Sequence, residues 1–176
     1  MEIKKIVVGM LQANCYLLVD DGELAVVDPG DEARKIIDAI EKTGAKTKFI
    51  VNTHCHFDHI GANDEIAEKF GVRVLHDLKE GDVLTVGDSK LKVVKTPGHT
   101  QDSVCLLGDD FVISGDTLFE NGIGRMDLPG GSSVKMALSL KKLDELIPDG
   151  AMVYPGHGES FAYQKGMALQ WVEFIN

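Results

Sequence analysis

One short segment restricts the fold of this chain more than any other, because it holds four potential metal ligands. Residues 53–59 read THCHFDH and contain three of the six histidines in the sequence. The apolar run before them, residues 47–52, predicts a short buried strand. Residues two apart in extended backbone point the same way, so His54 and His56 can reach one metal ion.

The other two potential ligands of this segment stand at a turn between the strand and a predicted helix. An apolar stripe with helical spacing occupies residues 62–70, and Gly71 is a stop signal. Asp58 and His59 precede this stripe and are expected to approach the same pocket from another direction, as a second ion would require. Asp58 alone would be a common helix N-cap. Imidazole and carboxylate together are ligands that zinc, iron and manganese accept, so the segment predicts a metal site.

Length and composition are those of one soluble globular domain, which we predict to comprise residues 1–176. The sequence is 44% hydrophobic and 26% charged, and these fractions are ordinary for such a domain. No apolar run reaches the roughly 18 residues of a membrane span, and the N-terminus has the pattern of a strand rather than a signal peptide. We therefore predict a cytoplasmic protein that does not enter membranes, with free thiols at its three cysteines. The net charge of −10 disfavours nucleic acid as a partner.

The spacing of apolar and turn residues predicts strands and helices along the whole chain. Strands are expected at 3–8, 15–19 and 24–27, followed by a helix with Asp31 as its N-cap and Gly44 as its end. In the second half, strands are expected at 72–75, 83–86, 91–94, 104–107, 111–113 and 152–154, and helices at 132–146 and around the stripe Met167, Trp171 and Phe174. This order predicts an α/β domain in which strands pack in layers against helices.

Three more potential ligands lie in loops that directly follow predicted strands. His99, Asp116 and His157 each come immediately after a glycine, which lets the backbone approach closely. In α/β folds, binding groups converge in the loops beyond the strand ends. Five histidines and two aspartates are what two metal ions sharing one carboxylate would need.

The order and spacing of these motifs resemble the metallo-β-lactamase superfamily over nearly the whole chain. The matching segments are His54-x-His56-x-Asp58-His59, Pro97-Gly98-His99, Gly115-Asp116-Thr117, Pro155-Gly156-His157 and the early Val27-Asp28-Pro29-Gly30. The resemblance implies an α/β fold, the αββα four-layer sandwich of the metallo-β-lactamase type. Its site would lie at one edge of two facing sheets.

The resemblance also implies a role for each ligand in a centre with two divalent metal ions. Site one would comprise His54, His56 and His99, and site two Asp58, His59 and His157, with Asp116 bridging them and Asp28 orienting the ligand loops. Zinc is the expected metal, and iron and manganese are the alternatives. A metal-bridging hydroxide would attack an electrophilic carbonyl or phosphorus centre. Asp58, the expected catalytic residue, would orient that hydroxide and later pass on a proton.

Within the superfamily, residues 116–125 are similar to the glyoxalase II group, the hydroxyacylglutathione hydrolases. A basic residue nine positions after the bridging aspartate contacts the substrate in that group, and Arg125 stands at this position. Asp127 replaces an aromatic residue, and the 19 residues after His157 do not comprise the helical domain that supplies most glutathione contacts. The chain is closer to the short single-domain members of the group. Hydrolysis of a small-molecule thioester is therefore the leading interpretation.

Other activities are alternatives at this stage. The segment 124–131 also resembles the persulfide dioxygenases, which would load one iron on His54, His99 and Asp116. A lactone carbonyl poses the same electrostatic problem as a thioester, so a lactone hydrolase is a further alternative. A metal-binding redox module is disfavoured by His56, where the diiron electron-transfer relatives carry a glutamate. Asp116 at the bridging position and the lack of an export signal disfavour β-lactam hydrolysis, and the acidic charge balance disfavours phosphodiester cleavage.

Two further side chains have simpler interpretations beside their functional ones. Cys55 points away from His54 and His56 in an extended segment, which predicts a small buried residue rather than a ligand. Arg125 has the alternative of a surface ion pair, a kind of contact that says little about function. The sequence does not specify an oligomeric state.

Overall fold

Residues 1–175 are described by the computed structural model, and Asn176, the last residue of the predicted domain, lies outside the described residues. The elements of this part of the chain are β1 Glu2–Val8, β2 Ala13–Asp20, β3 Glu23–Val27, α1 Ala33–Thr43, β4 Lys46–Val51, α2 Phe57–Ile60, α3 Asn63–Phe70, β5 Arg73–Leu75, β6 Val83–Val86, β7 Ser89–Lys95, β8 Val104–Leu107, β9 Phe111–Gly115, β10 Leu118–Phe119, β11 Gly122–Ile123, α4 Ser133–Leu146, β12 Met152–Pro155, β13 Phe161–Ala162 and α5 Met167–Ile175.

The strands of residues 1–175 form two large mixed sheets and a two-stranded ribbon of β10 and β11. The first sheet has the order β1-β2-β3-β4-β5, antiparallel from β1 to β3 and parallel from β3 to β5. The second has the order β13-β12-β9-β8-β7-β6, with β12 parallel to β9 and the other pairs antiparallel. Parallel neighbours end at the same edge of a sheet, so the loops after β3 and β4, and those after β9 and β12, can converge.

Within residues 1–175, three apolar cores separate four layers of structure. One core lies between the first sheet and helices α1 and α3, a second between the two sheets, and a third between the second sheet and helices α4 and α5. In β2, Cys15 and Leu17 face the helices, whereas Tyr16 and Leu18 face the other sheet. Successive side chains of a strand point to opposite faces, so a strand covered on both faces is apolar throughout. The predicted αββα sandwich is confirmed.

Helix α1 buries the four apolar residues whose spacing predicted it, but it begins differently from the prediction. Glu32 precedes the helix with a left-handed backbone at φ 50°, and it makes no side-chain capping hydrogen bond. Asp31 Oδ1 instead accepts a hydrogen bond from the backbone N–H of Glu32 at 2.6 Å. The prediction of Asp31 as the N-cap was wrong, because its carboxylate closes a local turn before the helix starts.

The chain after the first ligand cluster contains two helices, α2 and α3, and only α3 follows the predicted stripe. Gly61 lies between them and packs against Gly30 so closely that a Cβ on Gly61 would stand 2.3 Å from the Gly30 carbonyl oxygen. The short strands β10, β11 and β13 were not predicted, since two residues are too few to establish a period. Among residues 1–175, every helix falls short of the length or the apolar character that a membrane span requires.

Candidate metal centre

Three histidines from two loops converge on one point at the edge of the sheets. His54 and His56 follow β4, and His99 follows β7. His56 Nδ1 lies 3.1 Å from His54 Nε2 and 2.9 Å from His99 Nε2. Three nitrogens bound tetrahedrally to one ion at about 2.0–2.1 Å would be about 3.3 Å apart. The three imidazoles could therefore hold one metal ion with little movement.

A second group beside the first combines Asp58, His59 and His157. The first two belong to the first turn of α2, and His157 follows β12. One ligand atom from each residue lies within 4.8 Å of the other two. Asp58 Oδ2 is 3.3 Å from His157 Nε2 and 3.7 Å from His59 Nε2. This group could hold a second ion.

Asp116 lies between the two groups, in the loop after β9. Its Oδ2 is 3.5 Å from His99 Nε2 and 3.6 Å from His157 Nε2, and its Oδ1 is 3.6 Å from His59 Nε2. The carboxylate therefore reaches one member of the first group and two members of the second. A carboxylate that is shared between two ions has to lie between the two groups in this way.

Four buried side-chain polar atoms find no hydrogen-bond partner among residues 1–175, and two of them belong to the candidate ligands. These two are His59 Nε2 and Asp116 Oδ1. Buried polar atoms are nearly always paired in proteins, and leaving one unpaired costs about 1–3 kcal/mol. A cation held between the two groups would satisfy both atoms. The residues present therefore fit a metal centre.

Acceptors behind three imidazoles determine which ring nitrogen faces the site. The Nδ1 atoms donate to a carboxylate or carbonyl oxygen in three pairs: His59 to Asp28 at 3.0 Å, His99 to the carbonyl of Arg125 at 2.7 Å, and His157 to the carbonyl of Leu11 at 3.0 Å. A neutral imidazole that donates from Nδ1 presents the lone pair of Nε2. In each of these residues Nε2 is the atom that lies near Asp116, so the rings are already oriented for ligation.

Asp28 connects the strand end of β3 to both ligand loops. Its Oδ1 accepts from the backbone N–H of Thr53 at 2.7 Å, and its Oδ2 accepts from Thr53 Oγ1 at 2.6 Å and from His59 Nδ1 at 3.0 Å. Asp28, His54 and His59 also offer ligand atoms within 4.8 Å of one another. Because both carboxylate oxygens of Asp28 already accept these bonds, we interpret it as an orienting residue.

The pKa values of the titratable groups in the site are shifted in different directions. Burial acts to lower the pKa of His59, but the carboxylates of Asp28, Asp116 and Asp58 outweigh it and raise this pKa to about 9. Burial, together with the neighbouring imidazoles, holds the pKa of His54 far below its ordinary value. Burial raises the pKa of Asp116 despite the imidazoles around it. Such perturbed groups cluster at functional sites.

Two glycines allow the backbone to approach the ligands closely. A Cβ on Gly156 would lie 2.1 Å from Asp116 Oδ1 and 2.8 Å from His59 Cε1. A Cβ on Gly30 would lie 1.5 Å from the carbonyl oxygen of Asp58. A larger residue at either position would displace a ligand loop.

Arg125 stands near the site, but its side chain has a protein partner. Its Nε and Nη2 atoms donate to the two carboxylate oxygens of Asp127 at 2.7 and 2.6 Å, and both side chains are more than half exposed. This hydrogen bonding lowers the pKa of Asp127 to about 2. The surface ion pair is thus present, and contact between Arg125 and a substrate stays a prediction. The backbone carbonyl of Arg125 meanwhile orients His99.

Cys55 is exposed, so the prediction that it is buried was wrong. β4 ends at Val51, and beyond that point the alternation of faces no longer applies. Cys55 lines a cavity of about 300 Å³ behind His54, together with the exposed His76 and Asp102. Burial and Asp102 raise the pKa of the thiol, which makes it a weak nucleophile. Within residues 1–175 all three cysteines are free, as predicted.

Two asparagines that support the ligand loops were not predicted. Asn52 Nδ2 donates to the carbonyl oxygen of His59 at 2.8 Å, and Asn14 Nδ2 donates to the loop that carries His157. Each is a polar residue within or directly after an apolar strand. Buried amides are nearly always hydrogen-bonded, so this interruption of the apolar run was the available signal, although Asn14 Oδ1 itself finds no partner among residues 1–175.

Comparison with known proteins identifies the family to which this fold and site belong. The chain matches the family model of the metallo-beta-lactamase superfamily over residues 8–85 and 74–157, and it belongs to this superfamily. It is 36% identical to the probable metallo-hydrolase YqgX of Bacillus subtilis (strain 168), with 90% of each chain covered. It is 35% identical to a hydroxyacylglutathione hydrolase of Pelagibacter ubique (strain HTCC1062), over 89% of this chain and 71% of that one. The chain is a metal-dependent hydrolase of the superfamily.

Solved structures agree with the fold described above. The crystal structure of BLEG-1 B3 metallo-beta-lactamase superposes with a TM-score of 0.87 at 28% identity, covering 99% of this chain and 100% of that one. The structure of TTHA1623 in a di-iron-bound form superposes with a TM-score of 0.83 at 30% identity, covering 90% and 94%.

Proposed function

We propose that this chain is a binuclear metal-dependent thioesterase of the glyoxalase II type that acts on a small-molecule substrate. The observation that carries the proposal is the pair of adjacent ligand groups, with the carboxylate of Asp116 in reach of both. One ion would be held by His54, His56 and His99 and the other by Asp58, His59 and His157, with Asp116 contacting both. Zinc is the first expectation for such ligands, and iron and manganese accept the same ligands.

The residues of the site divide the catalytic work between them. Divalent ions bound there would lower the pKa of a water molecule toward neutrality and polarise a carbonyl oxygen. Asp58 Oδ2 lies 3.3 Å from His157 Nε2, and the Asp58 side chain is 15% exposed, so it is accessible to a substrate. We assign to Asp58 the orientation of the attacking water and the transfer of its proton to the leaving group.

Several observations support a thioester as the substrate. The relative of 35% identity is named a hydroxyacylglutathione hydrolase, and this chain covers 71% of it. The net charge of −10 favours a small molecule over nucleic acid. A thioester carbonyl develops negative charge during attack, and a pair of cations stabilises such charge. A lactone would develop the same charge and is an alternative substrate class.

The test is an assay of metal-free protein loaded separately with zinc, manganese and iron. We expect turnover of S-lactoylglutathione or of a simpler acyl thioester with at least one metal, and a loss on the order of 10²–10³-fold in His54→Ala. His76→Ala is the matched control, because His76 is exposed and lies outside both ligand groups. Full activity in His54→Ala would contradict the metal-dependent mechanism. Absence of turnover with every metal would contradict the thioesterase proposal.

A mononuclear iron persulfide dioxygenase is the second candidate. Its support is the approach of His54, His99 and Asp116, which supply two imidazoles and one carboxylate, the set used by many non-haem iron oxygenases. Two results would favour the dioxygenase: one iron per chain, and oxygen uptake with a persulfide substrate that is retained in the variant His157→Ala. Two ions per chain and no oxygen uptake would favour the thioesterase.

Asp127→Asn is expected to strengthen binding of thioesters that carry a carboxylate. The ion pair with Asp127 now occupies the guanidinium of Arg125, and a substrate carboxylate has to compete for the same donors. Because an exposed pair of this kind is weak, we expect KM to fall only about two- to five-fold, with kcat unchanged.

A neutral acyl thioester is the control substrate for Asp127→Asn, and its KM is expected to stay constant. An equal change in KM for the charged and the neutral substrate would contradict a role for Arg125 in recognising the carboxylate. An unchanged KM for the charged substrate in Asp127→Asn would contradict this role as well.

A further inference from the structure

We propose that Asn14 is a positioning residue that holds His157 in place as a ligand of the second metal ion. The inference rests on the proposed binuclear centre. It concerns a buried amide in β2, in a strand that is otherwise apolar up to its last residue. Asn14 is 1% exposed and lies far from His157 in sequence.

Asn14 binds the loop after β12 on both sides of His157. Its Nδ2 donates to the carbonyl oxygens of Pro155 and of Gly158, each at 2.9 Å. Its backbone N–H donates to the carbonyl oxygen of Gly156 at 2.7 Å. One residue therefore satisfies the carbonyls of all three neighbours of His157 in the segment 155–158, which fixes the path of the backbone that carries the imidazole.

His157 is less buried than His59 and His99, so hydrogen bonds to its loop contribute more to its position. The side chain of His157 is 28% exposed, whereas those of His59 and His99 are 0% and 4% exposed. Glycines on either side of it contribute no side-chain contacts. The ring itself is held by donation from Nδ1 to the carbonyl of Leu11, in the same hairpin as Asn14. Hydrogen bonds from the β1–β2 hairpin thus act together with the close packing of Gly156 against Asp116 and His59 to fix the position of His157.

Only a side chain with two donors on one atom can make both carbonyl contacts from this position. The amide nitrogen of asparagine has two hydrogens, whereas an aspartate of the same shape has no donor when ionised. Tyr16 lies two residues further along the same strand, and its hydroxyl donates to the Pro155 carbonyl at 2.6 Å. The Tyr16 hydroxyl therefore supports only one of the two carbonyls that the side chain of Asn14 binds.

The experiment measures metal binding rather than catalysis. Metal-free protein is titrated with Co²⁺, and the affinities of the first and second ions are followed by equilibrium dialysis and by the visible spectrum. In Asn14→Ala and Asn14→Asp we expect the second ion to bind about 10- to 100-fold more weakly, with the first ion unaffected. Tyr16→Phe keeps its shape and its core packing, so it serves where an Asn14 variant fails to fold. Its second-ion affinity is expected to fall by a smaller factor.

Lys5→Ala is the matched control. Lys5 Nζ contacts the Gly158 carbonyl at 3.2 Å and Glu159 at 2.6 Å from the solvent side, and a surface contact of this kind contributes little. The affinities of Lys5→Ala for the first and second ions are expected to match those of the unmodified protein. Three results would overturn the role of Asn14. The first is a loss of second-ion affinity in Lys5→Ala as large as that in the Asn14 variants. The others are an equal loss of affinity for both ions in the Asn14 variants, and unchanged metal affinities in the Asn14 and Tyr16 variants. A single ion bound by the unmodified protein would overturn the binuclear centre itself, and with it this inference.

Discussion

Asp116→Ala is expected to lower thioester hydrolysis by roughly 10³-fold or more and to leave one tightly bound ion per chain. The carboxylate of Asp116 lies within 3.5–3.6 Å of His99, His157 and His59, so in the proposed centre its loss would remove a ligand from both ions. The first ion would keep three imidazoles, but the second would keep one carboxylate and two imidazoles with nothing joining it to the first. The measurements are steady-state kinetics and metal content after dialysis.

The same substitution makes a contrasting prediction for the metal-free protein. Burial raises the pKa of Asp116, which means that the folded chain disfavours its charged form. We therefore expect the thermal midpoint of metal-free Asp116→Ala to equal or exceed that of the unmodified protein. Asp109→Ala, at an exposed aspartate after β8, is the control and is expected to keep activity and both ions. Two tightly bound ions with full activity in Asp116→Ala would show that the residue is not a shared ligand.

The candidate ligands could be brought together from the sequence because their residue types are visible there. A single aspartate after a strand is a common turn residue, but the segment after β4 contains three histidines and one aspartate within six residues. Supporting residues such as Asn14 are different. Its role depends on a loop 141 residues later that folds back against β2, and no local pattern reports that contact.

Two errors have a common physical origin in the turns that border regular elements. Cys55 was expected to be buried because an extended segment alternates its faces, but β4 ends at Val51, four residues earlier. Asp31 was expected to cap α1, yet its carboxylate bonds to the adjacent amide of Glu32. Periodicity and capping preferences describe the interior and the ends of elements, and neither determines the path of the chain between them.

The order of the elements predicted an α/β domain with strands layered against helices, whereas the αββα sandwich was predicted from the resemblance to the superfamily. In the structure, successive side chains of β2 lie in two different cores, which is the pattern expected of a strand covered on both faces. The helix stripes supply those outer layers. The pairing of β12 with β9 involves residues about 40 positions apart, and the sequence alone contains no register for it.

Asp28→Ala is expected to destabilise the protein, to weaken binding of the second ion and to lower activity. The substitution leaves the backbone N–H and the hydroxyl of Thr53, and Nδ1 of His59, without their acceptor. It also puts alanine at a left-handed φ of 51°, which aspartate and asparagine tolerate better. We expect a loss on the order of 3 kcal/mol in the free energy of unfolding. This corresponds to a fall of about 6–12 °C in the thermal midpoint, measured by calorimetry on metal-free protein.

Asp28→Asn separates orientation of the ligand from stability of the fold. Asparagine keeps the backbone conformation, and its oxygen can still accept from the Thr53 amide. Its nitrogen, however, would face His59 Nδ1, which then becomes an acceptor and moves the ring proton to Nε2, the atom that faces the site. Second-ion affinity is therefore expected to fall about 10- to 100-fold with a much smaller change in thermal midpoint than in Asp28→Ala. The tautomer of His59 can be read from its ring nitrogen resonances. Unchanged metal affinity in Asp28→Asn would mean that Asp28 supports the loop but does not orient the ligand.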